Sequence, residues 1–174
     1  MELLDSKKVH EGHTIDVAIK RYRRQDGTEV ERQVVEHPGS VAILAYDDDV
    51  VYLVRQPREA VEEDGLLEIP AGTLEPGEDP LACGKRELAE EVGLAARHWR
   101  ELKLVHTSPG ILSERAWIFA ATGLSPASAE QDEDEQIDVV RLPRAEIAAT
   151  LREITDATTL IALLMLEAEH PVVP

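Results

Sequence analysis

The sequence predicts an α/β sandwich, an α+β arrangement with an antiparallel β-hairpin at its N-terminal end. Three observations carry that expectation. Short alternating or continuous apolar runs, the mark of strands, outnumber the helical ones and do not alternate with them regularly. Longer amphipathic segments begin at Pro80, at Pro143 and near residue 156, each with a helix start signal. No internal repeat and no Gly/Ser linker divides the 174 residues, a length that suits one domain with a proper core.

The first segment holds two alternating runs, 14–21 and 28–36, with Ile15, Val17 and Ile19 on one face. Asp26-Gly27 between them is a hairpin signal, and His37-Pro38-Gly39 then breaks the chain. Such a hairpin is marginal alone and must pack on its own domain or on a second subunit. The boundaries predicted are therefore a hairpin segment over 1–38 and a main domain over 39–174. Residues 41–46 form a continuous apolar run, a buried strand, and 50–56 returns after the Asp47-Asp48-Asp49 turn. Three adjacent aspartates lack the alternate spacing of a calcium loop and read as a solvated tip. Arg55 and Arg58 end the second strand, and an acidic loop over 59–64 leads to Glu68-Ile69-Pro70-Ala71-Gly72. Strands are expected again over 101–106, 116–121 and 137–141, with an acid-rich loop over 125–136. A helix is expected from Pro143 to about Ile154, and a last one, capped by Thr155 or Asp156, to about Glu169.

Composition narrows the function. Charged residues at 30% and hydrophobic ones at 43% describe a soluble globular chain. The N-terminus has acids where a signal peptide needs a basic start, and the apolar run 160–166 is too short to span a bilayer. A cytoplasmic protein without a membrane partner is expected. The lone Cys83 cannot form an internal disulfide and reads as a packing residue. A formal charge of −17 argues against a nucleic-acid backbone as partner, since phosphate chains need a basic footprint. A small anionic substrate needs only local arginines and metal ions.

The informative stretch is 72–94. Asp79 is an N-cap, Pro80 suits the first helical position and Gly93 supplies the stop. At about 100° per residue, Leu81, Leu88 and Val92 share one narrow stripe, while Glu87, Glu90 and Glu91 share an opposite arc. Like charges three and four residues apart repel on a helix. A hard divalent cation, which takes carboxylate oxygens, is the natural compensation.

Gly72, Glu78, Arg86, Glu87, Glu90, Glu91 and Gly93, with Leu88 and Leu94, stand at the spacing of the Nudix box, and the stretch resembles it at every specified position. With each residue type at roughly one in fifteen, seven strict matches arise by chance about once in 10⁸ placements. The resemblance implies the Nudix fold, a mixed β-sheet between helices, and hydrolysis of a nucleoside diphosphate with Mg²⁺ or Mn²⁺. It also implies roles. Glu87, Glu91 and the Ala71 carbonyl are the expected metal ligands, with Glu90 bridging or adding a second contact. Arg86 orients a glutamate.

The flanks resemble the ADP-ribose pyrophosphatase subfamily: Arg55-Gln-Pro-Arg58, Glu68-Ile-Pro-Ala-Gly72 and Ser108-Pro109-Gly110, with Pro109 fifteen residues after Leu94. Asp132 to Glu135 and the run 154–161 are similar to it as well. That likeness implies conversion of ADP-ribose to AMP and ribose 5-phosphate. Arg55 and Arg58 would bind phosphate, Glu68 and Pro109 belong with the substrate site, and Glu114 would hold the ribose or adenosine end. Glu133 or Glu135 would supply a base if one is used. Many relatives carry aromatic residues where this chain has Pro57 and Ile111, and Tyr22 is one candidate platform for the adenine. A homodimer through residues 1–38 is also implied. The alternatives are another nucleoside diphosphate sugar or a dinucleotide as substrate, or a catalytically silent domain; silent versions lose box glutamates, and none is missing.

Overall fold

The computed structural model describes residues 1–128 and 136–169. They divide into two units, one of residues 1–39 with 105–115, the other of 40–104 with 116–128 and 136–169.

The first unit is a three-stranded antiparallel sheet in the order β1 (Glu2–Glu11), β2 (Asp16–Arg23), β3 (Glu29–Glu36). The β2–β3 turn follows its Asp-Gly signal: the Arg24 N–H donates to the Thr28 carbonyl, and Gly27 takes φ +84°. Ala18 is the fully buried side chain of β2, whereas Ile15 on the opposite face stays 40% exposed. Strand β1 has no counterpart among the sequence expectations. Its side chains are almost all exposed, so no apolar alternation marks it, and it exists through main-chain pairing with β2. Residues 111–113 run beside β3, where the Val35 N–H donates to the Ile111 carbonyl (2.8 Å) and the Ser113 N–H to the Val35 carbonyl (2.9 Å).

The second unit is a mixed sheet in the order β10 (Asp138–Pro143), β5 (Val50–Arg58), β4 (Ser40–Tyr46), β9 (Ala116–Pro126), β8 (Leu94–Val105). Strand β6 (Glu63–Glu68) adds to β5, and β7 (Ala71–Thr73) to β4. Strand β4 runs parallel to β9 along one edge. Its other edge is shared, β7 pairing with residues 40–42 and β5 with 45–46. Helices α1 (Pro80–Val92) and α3 (Ala157–Glu169) both contact β4 and β9. Val41, Ile43 and Ala45 alternate along β4 and pack with Phe119 and Ala121 of β9 against Cys83 and Leu88 of α1.

Helix α1 has the predicted limits. The Asp79 carboxylate accepts from the N–H groups of Leu81 (3.0 Å) and Ala82 (3.1 Å), and Gly93 closes the helix at φ +70°. Elsewhere the structure departs from expectation. The acidic stretch over 59–64 is not all loop: after one 3₁₀ turn (Glu59–Val61), β6 begins at Glu63 and pairs with β5. The helix expected over 143–154 shrinks to a 3₁₀ turn (Arg144–Glu146) and a single α turn, α2 (Ile147–Thr150). Beyond it the Arg152 and Glu153 N–H groups bond to carbonyls three residues back, and the tightened chain buries both Ile147 and Ile154. Strands β8 and β9 run longer than their apolar cores. Among the described residues no helix is long and apolar enough to cross a membrane.

The cap predicts a local cost. Asp79→Ala should destabilise the protein by about 1 kcal/mol in a urea titration, through two lost N-terminal bonds, with no change in the shape of the transition.

Candidate active site

The acidic arc of α1 faces inward rather than to solvent. Glu87 is 9% and Glu91 4% exposed. Burying two carboxylates requires partners, and the segment entering β7 supplies some of them. The Ala71 N–H donates to Glu91 Oε2 at 2.9 Å. Gly72 has no side chain because none fits: a Cβ there would overlap the Glu87 carboxylate. The carboxylate therefore lies directly on bare backbone.

Arg86 ties the helix to the loop before it. Its guanidinium donates twice to Glu78 (both 3.1 Å), to Glu87 Oε1 (2.8 Å) and to Glu90 Oε2 (2.9 Å). Two parallel bonds to one carboxylate form the planar fork that arginine makes and lysine cannot. The cation so placed offsets the repulsion between glutamates that an isolated helix would suffer. These hydrogen bonds hold the Glu78 carboxyl down at about 2, and the same carboxylates raise the Arg86 pKa still further. Glu78 was legible as a motif position, yet its partnership with Arg86 spans eight residues and a turn. Cys83 is buried beneath this cluster, its thiol directed to the Thr73 carbonyl (3.7 Å) and pushed up to about 12 by burial and by Glu87. It stays a neutral packing group.

The remaining predicted residues fall in separate places. In the second unit Arg58 donates through Nε to Glu68 Oε2 (2.9 Å) with Nη2 also 2.9 Å from that oxygen, and Gln56 donates to the same oxygen at 3.2 Å. Arg55 donates to the Gly65 carbonyl (2.8 Å) across the β5–β6 pair. Glu68 ends β6, one residue before the Ile69-Pro70-Ala71 segment that meets Glu91. In the first unit Tyr22 and Pro109 line one cleft of about 420 Å³, with Arg24, Arg32 and Ile111 also on its walls. Glu114 is not among them. Its side chain accepts from the Thr107 hydroxyl (2.5 Å) and lies 3.8 Å from His37 Nδ1. Glu133 and Glu135 lie outside the described residues.

A NUDIX domain model matches residues 36–163. The chain belongs to the Nudix family. It is a Nudix pyrophosphohydrolase. It is 36% identical over 169 residues to the ADP-ribose pyrophosphatase of Bacillus subtilis, covering 94% of this chain and 91% of that one. The ADP-ribose pyrophosphatase of Mycobacterium tuberculosis is also 36% identical, over 96% of this chain and 83% of its own length. The methanol dehydrogenase activator of Bacillus methanolicus is 33% identical, over 96% and 92%. Among solved structures, an ADP compounds hydrolase superposes with a TM-score of 0.81 at 26% identity, over 96% of this chain and 92% of that one.

Nudix hydrolases generally use divalent metal ions. The donor set here suits such an ion: carboxylate and carbonyl oxygens are hard ligands, and the bare Gly72 cradle brings one carboxylate against backbone. Among the described residues no three acidic, histidine or cysteine side chains already converge as a cage. Glu87 and Glu90 instead share the Arg86 guanidinium.

The Glu78–Arg86 pair has a pH signature. The folded-state pKa of Glu78, about 2, lies below the ordinary 4.5. The stabilisation is therefore complete above the ordinary value and is lost as pH falls toward 2. Glu78→Gln should be less stable than wild type at about pH 7, and denaturant titrations should show the gap closing as the pH drops through that range.

Proposed function

We propose that this Nudix pyrophosphohydrolase cleaves the diphosphate of ADP-ribose to AMP and ribose 5-phosphate, with Mg²⁺ or Mn²⁺. The observation that carries the reading is the seating of the buried Glu87 and Glu91 carboxylates against residues 71–72. The substrate is supported by the names of the Bacillus subtilis and Mycobacterium tuberculosis relatives.

A diphosphate repels its nucleophile, so a site must offset charge and orient water in line with the departing oxygen. Glu87, Glu91 and the Ala71 carbonyl would hold the ion, with Glu90 as a further ligand. When bound, such an ion supplies charge neutralisation and lowers the pKa of water. In the hydrolysis, water adds to one phosphorus and gives up a proton to solvent or a protein base, the bridging P–O bond breaks, and the bridging oxygen leaves on the other phosphate. Arg86 fixes the carboxylates. Arg55 and Arg58 bind phosphate, with Glu68 setting the direction of the Arg58 fork. Tyr22, Pro109 and Glu114 are assigned to the nucleoside and ribose ends, and Glu133 or Glu135 to any protein base.

Glu91→Gln keeps the shape and removes the charge. It should fold normally and lose metal-dependent turnover, with a higher metal concentration at half activity. Near-normal kcat at saturating Mg²⁺ would refute the ligand assignment. The substrate is tested by release of phosphate monoester from ADP-ribose, other nucleoside diphosphate sugars and dinucleotides. The highest kcat/KM should fall on ADP-ribose. A preference for GDP-mannose, the substrate in the name of a Cronobacter sakazakii relative, would overturn that choice.

The reading includes a homodimer formed through residues 1–38 and a hydrolase domain over 39–174. Leu3, Val9 and Ile15 are 53%, 49% and 40% exposed, apolar side chains that a two-fold contact would cover. Light scattering on the intact protein should report a dimer; a fully active monomer would contradict it.

A further inference from the structure

Thr159 is a polar side chain with no solvent exposure, near the start of α3. Its hydroxyl donates to Asp156 Oδ2 at 2.7 Å and accepts from the Ile69 N–H at 2.9 Å. A hydroxyl has one hydrogen, so donation to Asp156 sets the rotor and turns a lone pair to Ile69. The same aspartate oxygen also accepts from the Thr159 N–H (2.7 Å) and the Thr158 hydroxyl (2.6 Å), which keeps it in place.

Ile69 opens a short segment held residue by residue. Its N–H goes to Thr159, the Pro70 carbonyl accepts from the Ile43 N–H (2.7 Å), and the Ala71 N–H donates to Glu91 (2.9 Å). Helix α3, strand β4 and helix α1 thus each grip one of three successive residues. Proline at 70 has no N–H to leave unpaired and fixes φ between the two amide anchors. The next residue is Gly72, whose bare backbone meets Glu87.

We propose that Thr159, oriented by Asp156, is a positioning residue for hydrolysis, holding residues 69–71 so that the Ala71 backbone and Gly72 meet Glu91 and Glu87. The inference rests on the metal-site reading above. A valine would fill the same buried volume without a hydroxyl, so packing alone does not call for threonine. The hydroxyl is needed because the Ile69 N–H is buried and must have an acceptor. Loss of that acceptor frees the first anchor of the segment and lets the backbone of residues 71–72 drift from Glu91 and Glu87.

The test compares Thr159→Val, which removes the hydroxyl, with Thr159→Ser, which retains it. Three quantities are read: kcat and KM on the preferred nucleotide, Mn²⁺ affinity of the substrate-free protein by paramagnetic resonance, and thermal midpoint. Thr159→Val should lower kcat and Mn²⁺ affinity by about 10–100-fold each, the usual cost of losing an outer support of a metal site. KM should stay unchanged, and Thr159→Ser should restore both losses. Wild-type kcat and Mn²⁺ affinity in Thr159→Val, with only a lower midpoint, would reduce the residue to a fold anchor and overturn the proposal. A raised KM alone would overturn it too. Should the valine variant not fold, Asp156→Asn keeps a cap acceptor but weakens the grip on the hydroxyl. It should shift kcat and Mn²⁺ affinity in the same direction, and wild-type values there would again overturn the inference. Wild-type protein that takes up no Mn²⁺ would sink the metal-site reading itself, a result distinct from unchanged affinity in the variants.

Discussion

The contact between the Glu87 carboxylate and the backbone of Gly72 organises the site, because any side chain at 72 would displace the acid. Two elements then have to be held in fixed relation: the strand β7 that carries Gly72 and the helix that carries Glu87. The capped start of α1 fixes one end of the helix, and the Ala71–Glu91 bond fixes its far part to the same strand. Gly72 itself pairs with Val41 of β4, so the cradle is tied into the central sheet.

Concentrating carboxylates on one helix face costs folding free energy, and the structure shows where compensation comes from. Arg86 serves three glutamates at once, with its strongest geometry toward Glu78 on the loop and single bonds toward Glu87 and Glu90 on the helix. Charge-assisted bonds of this kind are stronger than neutral ones, and the depression of the Glu78 pKa expresses the same interaction in the proton equilibrium. Beneath them, Cys83 and Leu88 close the helix onto Ile43 and Phe119, so the charged layer rests on a dry apolar one. The candidate site is thus a polar layer on a packed core, held by short backbone contacts together with the Arg86 guanidinium.

Much of this was legible along the chain. The Nudix box is a pattern of spacings, and spacing survives in sequence: Asp79, Pro80 and Gly93 bound α1, the acids follow at helical intervals, and Asp26-Gly27 makes its turn. The buried strands β4 and β5 announce themselves by continuous apolar runs. Where the reading fell short, the local signal was absent or misleading. Strand β1 has an exposed, charged surface, β6 begins among acids, and the helical pattern from Pro143 gives way after one α turn where the chain bends to bury Ile154.

The sequence by itself determined the family, the box helix with its caps, and which acids share one face of that helix, because these depend on residue type and on distances of a few residues. Only the tertiary structure decided that the acidic face is buried, that Arg58 grips Glu68, and that Thr159 meets Ile69 ninety residues away. Tyr22 and Pro109 share a cleft for the same reason, since β2 and the loop at 109 belong to one compact unit. Such pairings are set by how sheets and helices pack, and no period or spacing in a single chain records which distant amide a buried hydroxyl will meet.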